Sequence, residues 1–220
     1  MADFCLGLDL GQAQDYSAFC IVQRVLPVPD PRSDNQLPKP TYLCRGLKRW
    51  SLGTSYVSIV SEVVSTVNRQ PLAGADLVVD ATGVGRPILD MIRQQPLAAR
   101  VVPVTITSGH VEKFVEGSFH LAKVILVHAT VSLLQQRRVQ VPVELQHAAV
   151  LIDELKNYRV KISQAANETF NAREGAHDDL LIAFCLACWW LERNPASSPE
   201  ADMISFSDAE RLSVRPRNLF

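Results

Sequence analysis

The 220 residues carry 22 Lys and Arg against 23 Asp and Glu, a formal net charge of −1. That balance excludes a chain that coats nucleic acid by bulk charge, although a local basic surface still suffices to hold a phosphate backbone. A hydrophobic fraction of 47 % supports one packed domain. No apolar run approaches the roughly 18 residues needed to span a bilayer, and no basic leader precedes an apolar stretch, so a signal peptide is not expected.

In chain order, residues 4–10 form a short apolar run closed by Gly11, which predicts a buried strand. A turn over 11–15 and a second apolar run over 17–25 predict an antiparallel hairpin. Residues 27–40 hold five prolines among polar residues and read as a surface loop. Alternation over 42–50 predicts a third strand. Tyr56, Ile59, Val60, Val63, Val64 and Val67 fall at helical spacing within 55–69. Residues 76–80 are the continuous apolar run of a parallel strand buried on both faces. A turn over 82–85 leads into a helix, with Pro87 suited to its first turn. A strand over 101–106, a long helix over 118–136, a brief extended piece over 139–141, a helix over 144–156, a strand over 158–163 and a buried helix over 180–191 follow. From Asn194 onward Pro, Ser and charge dominate, so the expected division is a domain over 1–194 and a poorly ordered tail over 195–220.

Five cysteines, Cys5, Cys20, Cys44, Cys185 and Cys188, all lie in apolar segments, the usage of a reduced, cytoplasmic protein. The Cys185-x-x-Cys188 pair sits in a segment apolar on every side, which favours core packing over zinc or redox chemistry. Three meander strands, a strand-helix-strand crossover and further helices predict a mixed α/β sheet, antiparallel at first and then parallel, with helices on both faces. In such a sheet the first strand is central, the strand ending at Asp80 lies beside it, and chemistry gathers at their carboxyl ends.

Three acidic stretches each put a carboxylate at the end of a strongly apolar segment: Gly7-Leu8-Asp9-Leu10-Gly11 and Val78-Val79-Asp80-Ala81-Thr82-Gly83 at those strand ends, and His177-Asp178-Asp179-Leu180 at the opening of the buried helix. Taken singly, Asp9 reads as a turn-initiating residue and Asp80 as a helix cap. One acid at 178–179 would suit the helix dipole. Together they exceed what turns and caps require. Ionised carboxylates gathered at the end of apolar segments repel one another and lose hydration, and divalent cations remove that conflict. Two hard cations, Mg2+ or Mn2+, held by three or four carboxylates would suit phosphodiester hydrolysis. There is no Cys/His cluster for zinc, and no Gly-x-x-x-x-Gly-Lys-Ser/Thr run for a P-loop.

The set Asp9-Leu-Gly with Asp15-Tyr-Ser-Ala, Val-Val-Asp80-Ala-Thr-Gly-Val-Gly-Arg-Pro and Gly175-Ala-His177-Asp178-Asp179-Leu resembles the nuclease domain of phage terminase large subunits over roughly residues 4–191. The resemblance implies a ribonuclease-H-like fold and a two-metal endonuclease that cuts double-stranded DNA during head packaging in a bacterial host. It implies that Asp9 bridges two metals, that Asp80 holds the second, and that Asp178 or Asp179 completes the site, the choice between these two being open. Asp15 reads equally as an outer ligand or a polar hairpin tip. His177 reads equally as a contact to the leaving group or metal-bound water, or as a histidine fixing a helix start. The implied partners are a packaging ATPase domain, a small terminase subunit and a portal; no ATPase motor motif is present in this sequence.

For the DNA backbone, Arg86 at a helix start and Lys123 on the long helix are the preferred phosphate contacts, with Arg45, Lys48 and Arg49 as a further cluster. Arg137 and Arg138 read mainly as complements to a helix end. No base-reading element is visible, so little sequence preference is expected, with binding that weakens as salt rises. The alternatives are another nuclease of the same fold, such as a Holliday-junction resolvase, a non-catalytic DNA-binding assembly module, or a phosphotransferase of the actin and sugar-kinase type, for which the chain is short.

Overall fold

The computed structural model describes residues 3–11, 15–27, 39–83, 85–164 and 177–195. The elements in chain order are β1 (Asp3–Asp9), β2 (Ala18–Val25), β3 (Thr41–Arg49), α1 (Tyr56–Val67), β4 (Asp76–Asp80), α2 (Gly85–Arg93), β5 (Arg100–Thr107), β6 (Glu112–Val115), β7 (Ser118–Ala122), α3 (Lys123–Gln135), β8 (Val139–Gln140), α4 (Ala148–Gln164) and α5 (Asp179–Arg193). The strands form one sheet in the order β6-β7-β5-β4-β1-β2-β3-β8. β1 pairs antiparallel with β2 and parallel with β4. The parallel run continues through β5 to β7. The sheet is therefore antiparallel on one side of β1 and parallel on the other, as the meander and the crossover predict.

Alternation along β1 divides the core in two. Leu6 and Leu8 pack with Leu77, Val79, Ile59 and Ile92 under α1 and α2. Cys5 packs with Cys20, Val78, Val104 and the helices α3, α4 and α5 on the opposite face. Each of the Leu, Ile and Val side chains contributes roughly 1.5–3 kcal/mol when fully buried. α1 starts where Ser55 Oγ accepts the Ser58 N–H at 3.1 Å, an N-cap that satisfies one orphan donor. It buries Ile59, Val60, Val63, Val64 and Val67 as their spacing predicts. α5 is buried on every side from Asp179 to Leu191 because it lies between the sheet and the helices α3 and α4. All five cysteines are free and buried, including Cys185 and Cys188.

Two expectations are corrected. The long helix expected over 118–136 is β7 followed by α3, and β6 pairs with β7 as a hairpin turned at Glu116 (φ 50°) and Gly117 (φ 81°). The strand expected over 158–163 belongs to α4, which starts at Ala148 rather than 144. Leu151, Leu155 and Tyr158 are buried at intervals of four and three, so helical packing takes precedence over the local alternation. Most of the expected loop over 27–40, and residues 196–220 of the expected tail, lie outside the described residues.

Candidate metal centre

Pairing register brings the first two acids together. Gly7 lies opposite Val78 and Leu8 opposite Val79 in the parallel β1–β4 pair, so Asp9 and Asp80 occupy the next rung at the carboxyl ends of neighbouring strands. Val78 faces the α5 side of the sheet, and the two-residue period sends Asp80 to that side as well. The third acid arrives by helix packing. An added Cβ on Gly7 would fall 1.8 Å from the Ala183 carbonyl oxygen, so α5 rests directly on β1 at this point. Four helical residues rise about 6 Å, nearly the span of two strand residues. Asp179, four residues before Ala183, is thereby carried to the level of Asp9.

The electrostatics match this geometry. The Asp9 carboxyl is pushed well above the usual carboxylate range, first by burial and then by repulsion from Asp80, Asp179 and Asp178. Burial raises Asp80 as well, partly offset by its bonds to Thr82 and by Lys123. Asp80 Oδ1 accepts the Thr82 N–H at 2.8 Å, which holds the carboxylate at the strand end. Burial also raises Asp179, against the pull of Arg49 and His177. Asp80 and Asp179 are only 8 % and 6 % exposed, so hydration does little to relieve the crowding.

Asp178 stands at the N-cap of α5 without making a capping bond. Instead its Oδ2 accepts from Lys123 Nζ at 2.6 Å. Asp179 Oδ2 accepts from Arg49 Nη2 at 3.1 Å, with His177 Nδ1 at 3.9 Å. The Arg49 guanidinium lies over the Tyr16 ring at 3.7 Å, and that ring meets His177 edge-on at 4.9 Å. His177 is exposed at the rim. Asp15 is exposed too, and its charge raises the proton affinity of Asp179. Among the described residues no three His, Cys, Asp or Glu side chains already form a ready ligand set. Oxygen-only donors, buried and mutually repelling, fit hard divalent cations nonetheless.

The basic residues are distributed differently from their expected roles. Arg49 does not share a surface with Lys48. Lys48 bonds Glu62 of α1 at 2.9 Å, Arg49 turns to Asp179 on the opposite face, and Arg45 bonds Gln23. Successive strand residues point to opposite faces, so the cluster in sequence is not a patch in space. Lys123 is engaged by Asp178 rather than turned outward. Arg86 lies at the start of α2, and its side chain is outside the described residues. Arg138 bonds Glu192 and the Pro40 carbonyl, consistent with a structural role.

Two participants carry weaker sequence signals. Tyr16 stands beside Asp15 with nothing to mark it. Glu154 is 6 % exposed, and its Oε2 accepts the Leu181 N–H at 2.8 Å, which caps the first turn of α5 from a neighbouring helix. Its signal is an acid on the same helical face as Leu151, Leu155 and Tyr158.

No family model matches the chain. The terminase large subunits of Thermus virus P23-45 and Thermus phage G20c are each 24 % identical to it over 184 residues, 84 % of this chain. The chain spans 31 % of the length of these curated relatives. The crystal structure of the large terminase nuclease from thermophilic phage G20c matches with a TM-score of 0.58 and 22 % identity, over 84 % of this chain and 81 % of that one. The eight-stranded mixed sheet with helices on both faces thus shares the ribonuclease-H-like fold of the G20c nuclease structure. The chain's similarity to terminase large subunits, expected from its three acidic stretches, holds in sequence as well.

Proposed function

We propose that the chain is a divalent-metal-dependent DNA endonuclease domain of the terminase large-subunit kind, cutting double-stranded DNA with little sequence preference in the host cytoplasm. The observation that carries this reading is the convergence of Asp9, Asp80 and Asp179 from β1, β4 and α5, where burial lifts all three above their ordinary proton affinity and repulsion from neighbouring acids adds to it at Asp9 and Asp179. The names of the curated relatives and of the similar nuclease support it. A fused or recruited packaging ATPase, a small terminase subunit and a portal are the partners this reading implies.

Asp9, Asp80 and the Asp178/Asp179 pair would hold the metals, with Asp15 at the margin. Hard divalent cations held there would supply an activated water and neutralise charge at the leaving oxygen. The protein's own groups set the geometry. Thr82 fixes Asp80, Arg49 fixes Asp179, and Glu154 holds the turn that carries both acids of the pair. The exposed His177 imidazole, which meets the Tyr16 ring edge-on, would pass a proton to the leaving oxygen or the metal-bound water.

Asp9→Asn and Asp80→Asn test the reading through Mn2+-supported cutting of supercoiled plasmid. Each change removes several kcal/mol of transition-state stabilisation and should lower cutting by about a hundredfold or more, with the far-ultraviolet circular dichroism unchanged. Full cutting by both variants would overturn the assignment. Strong preference for a four-way junction over linear duplex would redirect it to a resolvase.

A further inference from the structure

We propose that Lys123 is a tethered counter-ion of the acidic centre, whose ammonium and a divalent cation exclude one another at Asp178. The inference rests on the metal-centre reading above and adds a residue that sets its affinity. Three observations support it. The first is contact: Lys123 Nζ lies 2.6 Å from Asp178 Oδ2, with the two side chains 37 % and 26 % exposed. The second is placement. β5 pairs with β4 at Val104 opposite Asp80, and β7 pairs with β5 at Ala122 opposite Thr107. Phe119 of β7 lies level with Val104 and so with Asp80, and Lys123 follows four residues later, beyond the same carboxyl end of the sheet.

The third is helix chemistry. Lys123 is the first residue of α3, whose first turn holds no acid. A cation at a helix N-terminus opposes the macrodipole, so the helix itself gains nothing from lysine there. What the lysine does is neutralise part of the acidic centre. Lysine suits a replaceable counter-ion better than arginine would. Its charge is a point on a flexible four-carbon stem, without the rigid two-pronged grip of a guanidinium. Its partial exposure leaves room to swing aside. A metal ion drawn to Asp178 meets that ammonium first and must displace it.

Calorimetric titration of MnCl2 into metal-free wild type, Lys123→Met, Lys123→Gln and Asp9→Asn tests this. Removing one partly screened positive charge a few ångström from the site should tighten Mn2+ binding by about tenfold in both lysine variants. Their metal-free melting temperature should fall, and their gain on adding Mn2+ should exceed that of wild type. Unchanged or weaker Mn2+ binding in the lysine variants, while wild type binds and Asp9→Asn binds less, would overturn the proposal and leave the metal centre standing. No Mn2+ binding by wild type would remove the metal centre and the proposal with it. A measurement on unaltered protein stands beside these variants: the Lys123 15Nζ resonance should move as Mg2+ is added, and an unmoved resonance at saturating Mg2+ would contradict the exclusion.

Discussion

Glu154 sits beneath the candidate site with one oxygen committed to the Leu181 N–H, while its Oε1 has no hydrogen-bond partner among the described residues. Burial, with repulsion from Asp179 added and the Leu181 N–H pulling the other way, lifts this carboxyl from 4.5 to about 7. The folded chain therefore keeps a proton that the unfolded chain has lost between those values. The stability that Glu154 contributes is complete below about pH 4.5 and is lost as the pH rises through about 7, a loss of about 3 kcal/mol. Glu154→Gln keeps an acceptor for Leu181 and removes the charge. In a metal-free buffer it should match wild type near pH 4.5 and melt about 5–10 °C higher at pH 8. Equal melting at pH 8 would show that Glu154 does not carry this cost. Asp9, Asp80 and Asp179 shift in the same direction, so the metal-free protein as a whole should lose stability as the pH rises through the range where they ionise.

The contact between α5 and β1 is the joint on which the candidate site depends. Gly7→Ala would drive a Cβ into the Ala183 backbone, which has no flexible end to yield. The expected cost is about 3 kcal/mol or more, at the upper end of overpacking in a core, read as a lower urea midpoint. A wild-type midpoint would mean that the helix can lift away without loss.

The same elements show what the sequence makes legible. β1 and β4 are short apolar runs stopped by an acid, and α5 is apolar on every face, patterns that only buried elements produce. β6 and β7 escaped because Phe119 and Leu121 also satisfy a helical reading of the run that continues into α3. The Glu116-Gly117 turn between the strands, with both φ angles positive, is the punctuation that marks the hairpin. At the candidate site the three acids were legible because each ends an apolar element. The pairings of Arg49 and Lys123 were not, since strand alternation and sheet order decide where a cation points. Glu154 was hidden because its function depends on a helix end 27 residues away.

At the scale of the molecule, one sheet gathers residues from both ends of the chain. The hairpin of β1 and β2 supplies Asp9, the crossover through α1 supplies Asp80, and α5, the last described helix, closes over them with Asp179. The near-neutral net charge, with Arg49 and Lys123 satisfied internally, leaves no bulk electrostatic hold on DNA. On the proposed reading, binding draws on the metals, on local phosphate contacts such as the one expected of Arg86, and on linkage to a second binding module. The most direct measurement is anomalous diffraction at the manganese edge from crystals soaked in Mn2+. Peaks within about 2–2.3 Å of carboxylate oxygens of Asp9, Asp80 and Asp178 or Asp179, with Lys123 withdrawn from Asp178, are the predicted result. Ordered acids with no manganese among them, at concentrations that support DNA cutting, would contradict the account.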